Sequence, residues 1–240
     1  MKWIIVTGDS GGLGSVIVEE ILKKDLYGVI GISRKRNEKI ENLLSKYTNY
    51  KHINFDLMNV DKIKGLYVNE IKKIGEVYGL VNNSAVAYDD IVTNADIKKL
   101  DNMFKINVYA PIILTKYVIR DMILNNNKGS IVHVSSVSAH TGYKGLSMYA
   151  STKGALEVFS KNIAREWGIK GIRSNCVAPG FMETDISSGL TDEQRQKIYK
   201  RTSLKKATDI ESVAKAIVFL LSEDSKSMTG SVINIDNGTI

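Results

Sequence analysis

Short apolar runs rich in β-branched residues alternate with longer amphipathic stretches along the chain. The runs predict strands at 2–7, 27–32, 50–54, 77–82, 130–135, 171–178 and 231–235. Helical periodicity predicts helices near 13–24, 38–46, 60–74, 97–124, 149–168 and 209–221. Runs such as 131–134 do not alternate between apolar and polar positions, which is typical of parallel strands covered on both faces. The pattern therefore predicts an α/β fold, in which a parallel seven-stranded sheet is flanked by helices on both faces.

One segment departs from this rhythm. Residues 183–208 are polar and charged, with a short helix predicted around 191–200. Either a substrate lid or an ordinary surface insertion fits this composition. No linker or low-complexity stretch interrupts the rest, so residues 1–240 are predicted to form a single domain.

Composition excludes several other classes of protein. Of the 240 residues, 43% are hydrophobic and 25% are charged, close to the average for globular proteins. The net charge of +7 comes from dispersed lysines, which indicates a solvated surface rather than a nucleic-acid site. One cysteine, Cys176, and three scattered histidines make neither an internal disulfide nor a metal site. No apolar run approaches the roughly 20 residues that span a bilayer. We therefore expect a cytoplasmic protein with no metal, membrane or nucleic-acid partner.

A glycine-rich loop follows the first predicted strand and leads into a helix. It spans residues 7–14 and reads Thr-Gly-Asp-Ser-Gly-Gly-Leu-Gly. A strand, loop and helix in this order place backbone N–H groups and a positive helix end against a pyrophosphate. The alternative is a tight turn without a ligand. The loop thus predicts a dinucleotide site on a doubly wound Rossmann-type domain, with contacts from Gly8, Ser10, Gly12, Leu13 and Gly14.

Asp9, inside this loop, does not fit that prediction. A carboxylate repels a pyrophosphate unless its side chain points away, although a helix N-terminus tolerates a negative charge. The direction of Asp9 stays open at the level of the sequence.

The end of the second predicted strand bears on the choice of cofactor. An acidic residue there would bond the ribose 2′-OH of NAD, and none is present. Ser33 and Arg34 are instead suited to a 2′-phosphate, with Lys35 and Arg36 next to them. The alternative is a solvated basic turn. We therefore favour NADP(H) over NAD(H). Asp56-Leu57, after the third strand, is placed either to meet the adenine or to cap a helix.

Tyr149 and Lys153 form the candidate catalytic pair. They are four residues apart in a predicted helix and so lie on one face of it. A nearby ammonium, together with an oxidised nicotinamide, would lower the pKa of a tyrosine from its usual value of about 10. Ser136 comes at the end of the fifth strand, where ligands of such sheets bind, and its hydroxyl could orient a carbonyl. The alternative is an exposed aromatic–lysine pair.

These residues belong to a larger set of motifs in a fixed order. The set comprises residues 7–14, Asp56, Asn82-Asn83-Ser84-Ala85, Asn107, Ser136, Tyr149 with Lys153, and residues 175–180. In these motifs the chain resembles the short-chain dehydrogenase/reductases over nearly all of its length. The resemblance implies an NAD(P)-dependent oxidoreductase acting on C=O and CH–OH groups, usually a homotetramer.

The resemblance also implies a role for each matched residue. Tyr149 would be the general acid, and Lys153 would lower its pKa and bind the nicotinamide ribose. Ser136 would hold the substrate oxygen, and Asn107 would complete a proton relay. The remaining cofactor contacts that it implies are Asn83, Ser84, Ala85, Pro179, Gly180, Met182 and Thr184.

Asn107 also has an interpretation from local structure. Pro111 has no N–H to donate to the Asn107 carbonyl four residues earlier. The freed carbonyl could hold a water near Lys153, or the helix could simply be kinked there.

The substrate is less well specified by the sequence. Within the family, residues 177–185 most resemble the 3-oxoacyl-[acyl-carrier-protein] reductases, which reduce a 3-oxoacyl thioester with NADPH. Acyl carrier protein would then be a partner. These reductases usually offer it basic residues, and two of their arginine positions align with Lys170 and Asn127 here. The match is partial, since Asn127 is uncharged, although Lys128 follows it. The alternatives are a sugar, polyol or secondary-metabolite ketone, or a non-catalytic NADP-binding regulator.

Overall fold

Seven parallel strands form one sheet in this computed structural model, which describes residues 1–184 and 189–239. The strands are β1 (Trp3–Thr7), β2 (Gly28–Ser33), β3 (Tyr50–Asn54), β4 (Val77–Asn82), β5 (Gly129–Val134), β6 (Ile172–Pro179) and β7 (Val232–Ile235). Their order across the sheet is β3-β2-β1-β4-β5-β6-β7, and every neighbouring pair is parallel. The predicted doubly wound Rossmann-type sheet is confirmed, with each strand within one residue of its expected ends.

The helices follow the predicted positions. They are α1 (Gly12–Leu22), α2 (Glu38–Lys46), α3 (Ile63–Leu66), α4 (Lys72–Ile74), α5 (Ile97–Phe104), α6 (Ala110–Leu124), α7 (Ser147–Trp167), α8 (Asp192–Tyr199) and α9 (Ile210–Leu221). A π-helical turn, Tyr67–Ile71, joins α3 to α4, and another, Lys105–Tyr109, joins α5 to α6. The long helix predicted over 97–124 is therefore interrupted, directly before Pro111.

Hydrophobic layers cover both faces of the sheet. Alternate residues of β1 point to opposite faces, so Ile4 belongs to the hydrophobic cluster that includes α1, α2 and α9, whereas Ile5 belongs to the one that includes α3 and α6. Both residues are fully buried. This explains why the strand sequences read as continuous apolar runs.

The order of the strands reverses between β1 and β4. β2 and β3 lie on one side of β1, and β4 to β7 lie on the other. In such a sheet the loops at the carboxyl ends of β1 and β4 diverge and leave a crevice between them. The glycine-rich loop and Asn83 both lie at this crevice.

The predicted helix at 191–200 is present as α8. Thr191 and Gln194 form a reciprocal capping box at its start. The stretch before α8 includes residues 185–188, which lie outside the described residues, so the lid at 183–208 stays a prediction. No helix in the described part of the chain is long and apolar enough to cross a membrane.

Candidate dinucleotide and catalytic site

The glycine-rich loop folds tightly onto its own backbone. Gly8 has a φ of 74°, a conformation that L side chains rarely adopt. A Cβ on Gly14 would lie 2.0 Å from the carbonyl oxygen of Gly8, so only glycine fits there. Gly11 donates its N–H to the same oxygen, and α1 begins at the next residue. The loop is thus a cradle with free space for a phosphate at a helix N-terminus.

Thr7 and Asn83 hold the loops after β1 and β4 together. The Thr7 hydroxyl accepts hydrogen bonds from the backbone N–H groups of Asn83 and Ser84, both at 3.0 Å. The Asn83 side chain donates to the Thr7 carbonyl at 2.9 Å. These bonds fix the width of the crevice at the point where the strand order reverses.

The basic turn after β2 lies beside the phosphate loop. Ser33, Arg34, Lys35 and Arg36 line the same cleft as the loop glycines. Asn37 connects the two, because its side chain donates to the Ser10 carbonyl at 2.9 Å and accepts from the N–H of Ile40 in α2. The cleft therefore has a cluster of cations at this end.

Asp56 is not the cap of a helix, because the helical turn that follows, Val60–Lys62, has Asn59 at its N-cap. The Asp56 carboxylate accepts a hydrogen bond from the N–H of Met58 at 3.0 Å, within the loop after β3. Asp56 and Leu57 also line the cleft, across from the basic turn.

The cleft has a volume of about 730 Å³, within the range of cofactor sites. All of the cofactor contacts predicted from the sequence lie on its wall. They are Gly8, Ser10, Gly12, Leu13, Gly14, Ser33, Arg34, Asp56, Leu57, Asn83, Ser84, Ala85, Tyr149, Lys153, Pro179, Gly180, Met182 and Thr184. The glycine cradle, the cations at one end and the Tyr149–Lys153 pair at the other fit an extended phosphorylated dinucleotide.

The sequence did not single out several other residues on this wall. Gly11, Asn37, Phe55, Val86, Ile106, Val134 and Ser135 also line the cleft. Most of them contribute apolar surface or backbone, which leaves no chemical signature in a sequence. The position of Gly11 in the loop was the one available signal.

Tyr149 and Lys153 meet on one face of α7, as their spacing predicts. The Lys153 ammonium lies 5.5 Å from the centre of the Tyr149 ring and donates to the Val134 carbonyl at 2.8 Å. Lys153 is only 2% exposed. Burial lowers the pKa of Lys153 to about 8.

The residues of this chain raise the pKa of Tyr149, whereas the lowering predicted from the sequence also required an oxidised nicotinamide. Burial, followed by the negative charge of Asp89, raises it to about 12. Both causes disfavour the tyrosinate, desolvation the more strongly. The residues of this chain alone therefore keep the Tyr149 hydroxyl protonated at neutral pH.

The segment that carries Ser136 is bonded to α7 through the residues around Ser136. The Ser136 hydroxyl accepts from the N–H and the hydroxyl of Ser138. The Glu157 carboxylate accepts from the Ser135 hydroxyl and contacts the His140 ring at 2.7 Å. Glu157 thus fixes the segment that carries Ser136 to the helix that carries Tyr149. Glu157 was not among the residues predicted from the sequence, although its position four residues after Lys153 places it on the same face of α7.

Asn107 lies behind the cleft wall rather than on it. Its side chain is fully buried, accepts from the N–H of Val86 at 2.9 Å and donates to the Val86 carbonyl and to the Thr152 hydroxyl. Thr152 directly precedes Lys153, and its hydroxyl donates to the Tyr149 carbonyl. Asn107 therefore braces α7 against the loop after β4, and the proton relay stays a prediction.

Asp9 points away from the cleft, which resolves the question that the sequence left open. Its side chain is fully buried and lies over Gly31 of β2. One carboxylate oxygen accepts from the Tyr50 hydroxyl and contacts Nδ1 of His52, both at 2.6 Å. A carboxylate in the phosphate loop is thus accommodated beneath the sheet edge instead of facing a pyrophosphate.

Potential metal ligands do not cluster within the part of the chain that the structure describes. No cluster of His, Cys, Asp and Glu there could hold a metal ion. Burial lowers the pKa of His133 to about 3, so it is neutral in the core.

Comparison with known proteins identifies the family. A family model described as enoyl-(acyl carrier protein) reductase matches residues 9–239. The chain belongs to the short-chain dehydrogenase/reductase family. It is therefore an NAD(P)-dependent oxidoreductase, as the sequence predicts.

Curated relatives agree on an enzyme class. The chain is 31% identical over 239 residues to a 3-oxoacyl-[acyl-carrier-protein] reductase of Buchnera aphidicola subsp. Baizongia pistaciae, covering 99% of this chain and 96% of that protein. The enzyme of the same name from Escherichia coli K12 is 30% identical, with the same coverage.

Solved structures of the family share the fold. One described as ElxO with NADP bound is 30% identical, with a TM-score of 0.90 over 99% of this chain and 98% of that one. A 4-hydroxyisoleucine dehydrogenase complexed with NADH is 24% identical with a TM-score of 0.93, over 100% and 98% of the two chains. The second likeness shows the fold alone.

Proposed function

We propose that this short-chain dehydrogenase/reductase is an NADPH-dependent reductase of a ketone, with a 3-oxoacyl thioester as substrate. The observation that carries this proposal is one cleft with the Tyr149–Lys153 pair and Ser136 at one end and the basic turn at the other.

Each polar group at the reacting end has one role. The cofactor supplies the hydride. Tyr149, kept protonated by burial, donates its proton to the carbonyl oxygen as that oxygen gains charge. The Ser136 hydroxyl donates a hydrogen bond to the same oxygen and orients it. Lys153 provides the cation next to the tyrosinate that remains.

The charge at the opposite end supports NADPH over NADH. Arg34, Lys35 and Arg36 line the cleft where β2 ends, and no acidic residue occupies that turn. A 2′-phosphate gains charge-assisted hydrogen bonds there, whereas a 2′-hydroxyl gains much less.

The curated relatives support the thioester substrate, and the polar contacts in the cleft do not specify it further. Lys128 and Lys170, the candidate contacts for an acyl carrier protein, come close together because the Lys128 side chain lies against Gly171. They lie at the amino ends of β5 and β6, opposite to the carboxyl ends that bear the cleft. The proposal therefore uses the thioester and does not require the carrier.

Oxidation of reduced nicotinamide in the presence of a 3-oxoacyl thioester tests this proposal. We expect turnover with NADPH, and kcat/KM for NADPH at least about tenfold above that for NADH, because the basic turn favours the 2′-phosphate. A polyol or sugar ketone serves as the comparison substrate. Tight binding of NADPH without thioester turnover would overturn the substrate class and leave the cofactor proposal standing.

Reduction is expected to lose efficiency as the pH rises through about 8. Burial lowers the pKa of Lys153 to about 8, so its positive charge is present below that pH and lost above it. The pKa of Tyr149, about 12, keeps its proton in place over this range. The measurement is kcat/KM for NADPH from pH 6 to 10, which reports the groups of the free enzyme. In Lys153→Arg the fall should move to higher pH, and a level wild-type profile would contradict the assignment.

A further inference from the structure

We propose that His52 neutralises the buried charge of Asp9 and that this pair preserves the preference for NADPH over NADH. This inference rests on the proposed NADPH dependence. It assigns a specificity role to two residues that do not line the cofactor cleft.

The Asp9 carboxylate lies in a polar pocket that the backbone leaves open. A Cβ on Gly31 would lie 1.9 Å from Oδ2 of Asp9, so the absence of a side chain at Gly31 makes the room. Oδ2 contacts Tyr50 and His52, whereas Oδ1 is buried with no hydrogen-bond partner among the described residues. The Tyr50 hydroxyl donates to this carboxylate whatever the charge of His52, and a positive charge beside it further offsets the cost of burial.

His52 is placed to supply that charge. Nδ1 lies 2.6 Å from Oδ2 of Asp9, and Nε2 lies 2.8 Å from Oδ1 of Asn54. Both ring nitrogens face oxygen atoms, so in the proposed imidazolium form each N–H donates to one of these oxygens. Both side chains are fully buried, so water screens their interaction weakly.

The pair is close to the end of the cleft that takes the adenosine side of the cofactor. Gly31 precedes Ser33 by two residues on β2, roughly 7 Å along the strand. His52 pairs with Gly31 across β2 and β3. Arg36, Lys51 and Tyr47 line a second cavity together with His52, and Arg36 also lines the cofactor cleft.

The two cofactors differ in charge at this end of the cleft. A 2′-phosphate adds nearly two negative charges, whereas a 2′-hydroxyl adds none. With His52 charged, the pair is neutral and acts on both cofactors alike. Without that charge, Asp9 repels NADPH more strongly than NADH, and the low dielectric beneath the loop transmits the repulsion.

Replacing His52 by asparagine tests the charge while keeping a donor near the position of Nδ1. We expect His52→Asn to lower the ratio of NADPH to NADH affinity by about tenfold. The double variant Asp9→Asn/His52→Asn, which is again neutral, should restore the ratio. The measurement is Kd for each cofactor by titration of the reduced nicotinamide fluorescence.

Tyr50→Phe is the matched control. It removes the other hydrogen bond to Asp9 without changing charge, so it should affect both affinities equally. An equal loss of both affinities in His52→Asn would show a purely structural role and overturn the proposal, as would an unchanged ratio.

Two further measurements apply if the variant does not fold or if the wild type does not prefer NADPH. If His52→Asn does not fold, nitrogen-15 NMR of the wild-type protein decides, since a neutral His52 ring would overturn the proposal and an imidazolium would support it. If the wild type prefers NADH, the proposed cofactor preference is wrong. The role of His52 is still tested by the change in the ratio of NADPH to NADH affinity between the wild type and His52→Asn.

Discussion

Tyr149→Phe is expected to lower kcat for ketone reduction by about 10²–10⁴-fold while leaving Kd for NADPH within about threefold. The substitution removes the hydroxyl that we propose as the proton donor and keeps the ring against Lys153. Ring packing and the cradle of glycines are unchanged, so the fold and the cofactor site should survive.

Single-turnover oxidation of bound NADPH by a 3-oxoacyl thioester measures this loss directly. Tyr117→Phe is the control, because Tyr117 stacks on Tyr67 away from the cleft and its hydroxyl has no role in the proposal. If Tyr149→Phe keeps more than about a tenth of the wild-type kcat, a different group donates the proton.

Gly14→Ala is expected to weaken NADPH binding by about 100-fold or more and to destabilise the fold by about 1–3 kcal/mol. The added Cβ would lie 2.0 Å from the Gly8 carbonyl oxygen and 2.9 Å from the Asn83 amide nitrogen. The first of these is a backbone atom that cannot rotate aside. The loop must open, and the N–H groups at the start of α1 then no longer point toward the phosphates.

Gly65→Ala, in α3, provides the comparison for this effect. Its Cβ would have only one neighbour, at 3.8 Å, and alanine favours a helix over glycine by about 0.8–1.0 kcal/mol. Thermal unfolding should therefore move to higher temperature in Gly65→Ala and to lower temperature in Gly14→Ala. Wild-type affinity for NADPH in Gly14→Ala would show that the loop does not hold the pyrophosphate.

Strands and the cleft wall were predictable because their signals are local. An apolar run such as 131–134 is long enough to identify a buried strand, and the turn after it carries Ser136. The spacing of Tyr149 and Lys153 places both side chains on one face of a helix, independently of the tertiary structure. Parallel strands then bring their carboxyl ends to one edge, which gathers these residues into one site.

The polar contacts beneath the cleft were not predictable in the same way. Asp9 contacts His52 although 43 positions separate them in the sequence, and Ser135 contacts Glu157 across a separation of 22. Such pairs depend on register and on which face each strand presents, and no short motif records either. The break at Lys105–Tyr109 was indicated by Pro111, but its form, a π-helical turn, depends on how α5 and α6 pack.

The pKa of Tyr149 shows a further limit. The spacing to Lys153 indicated a lowered pKa in the presence of an oxidised nicotinamide, because a sequence records the neighbouring cation and not the depth of burial. Burial reverses the direction, and the raised value keeps a proton on the group that we propose as the donor in reduction.

The space above Gly31 also has an evolutionary consequence. An aspartate at position 9 cannot keep its present orientation beside a Cβ at position 31, because Oδ2 of Asp9 would lie 1.9 Å from that Cβ. Glycine at position 31 is compatible with a small residue at position 9, so a lineage could acquire the glycine first and the aspartate afterwards. The reverse order requires the Asp9 side chain to turn away from Tyr50 and His52. The aspartate, once buried there, therefore adds a cost to any later side chain at position 31.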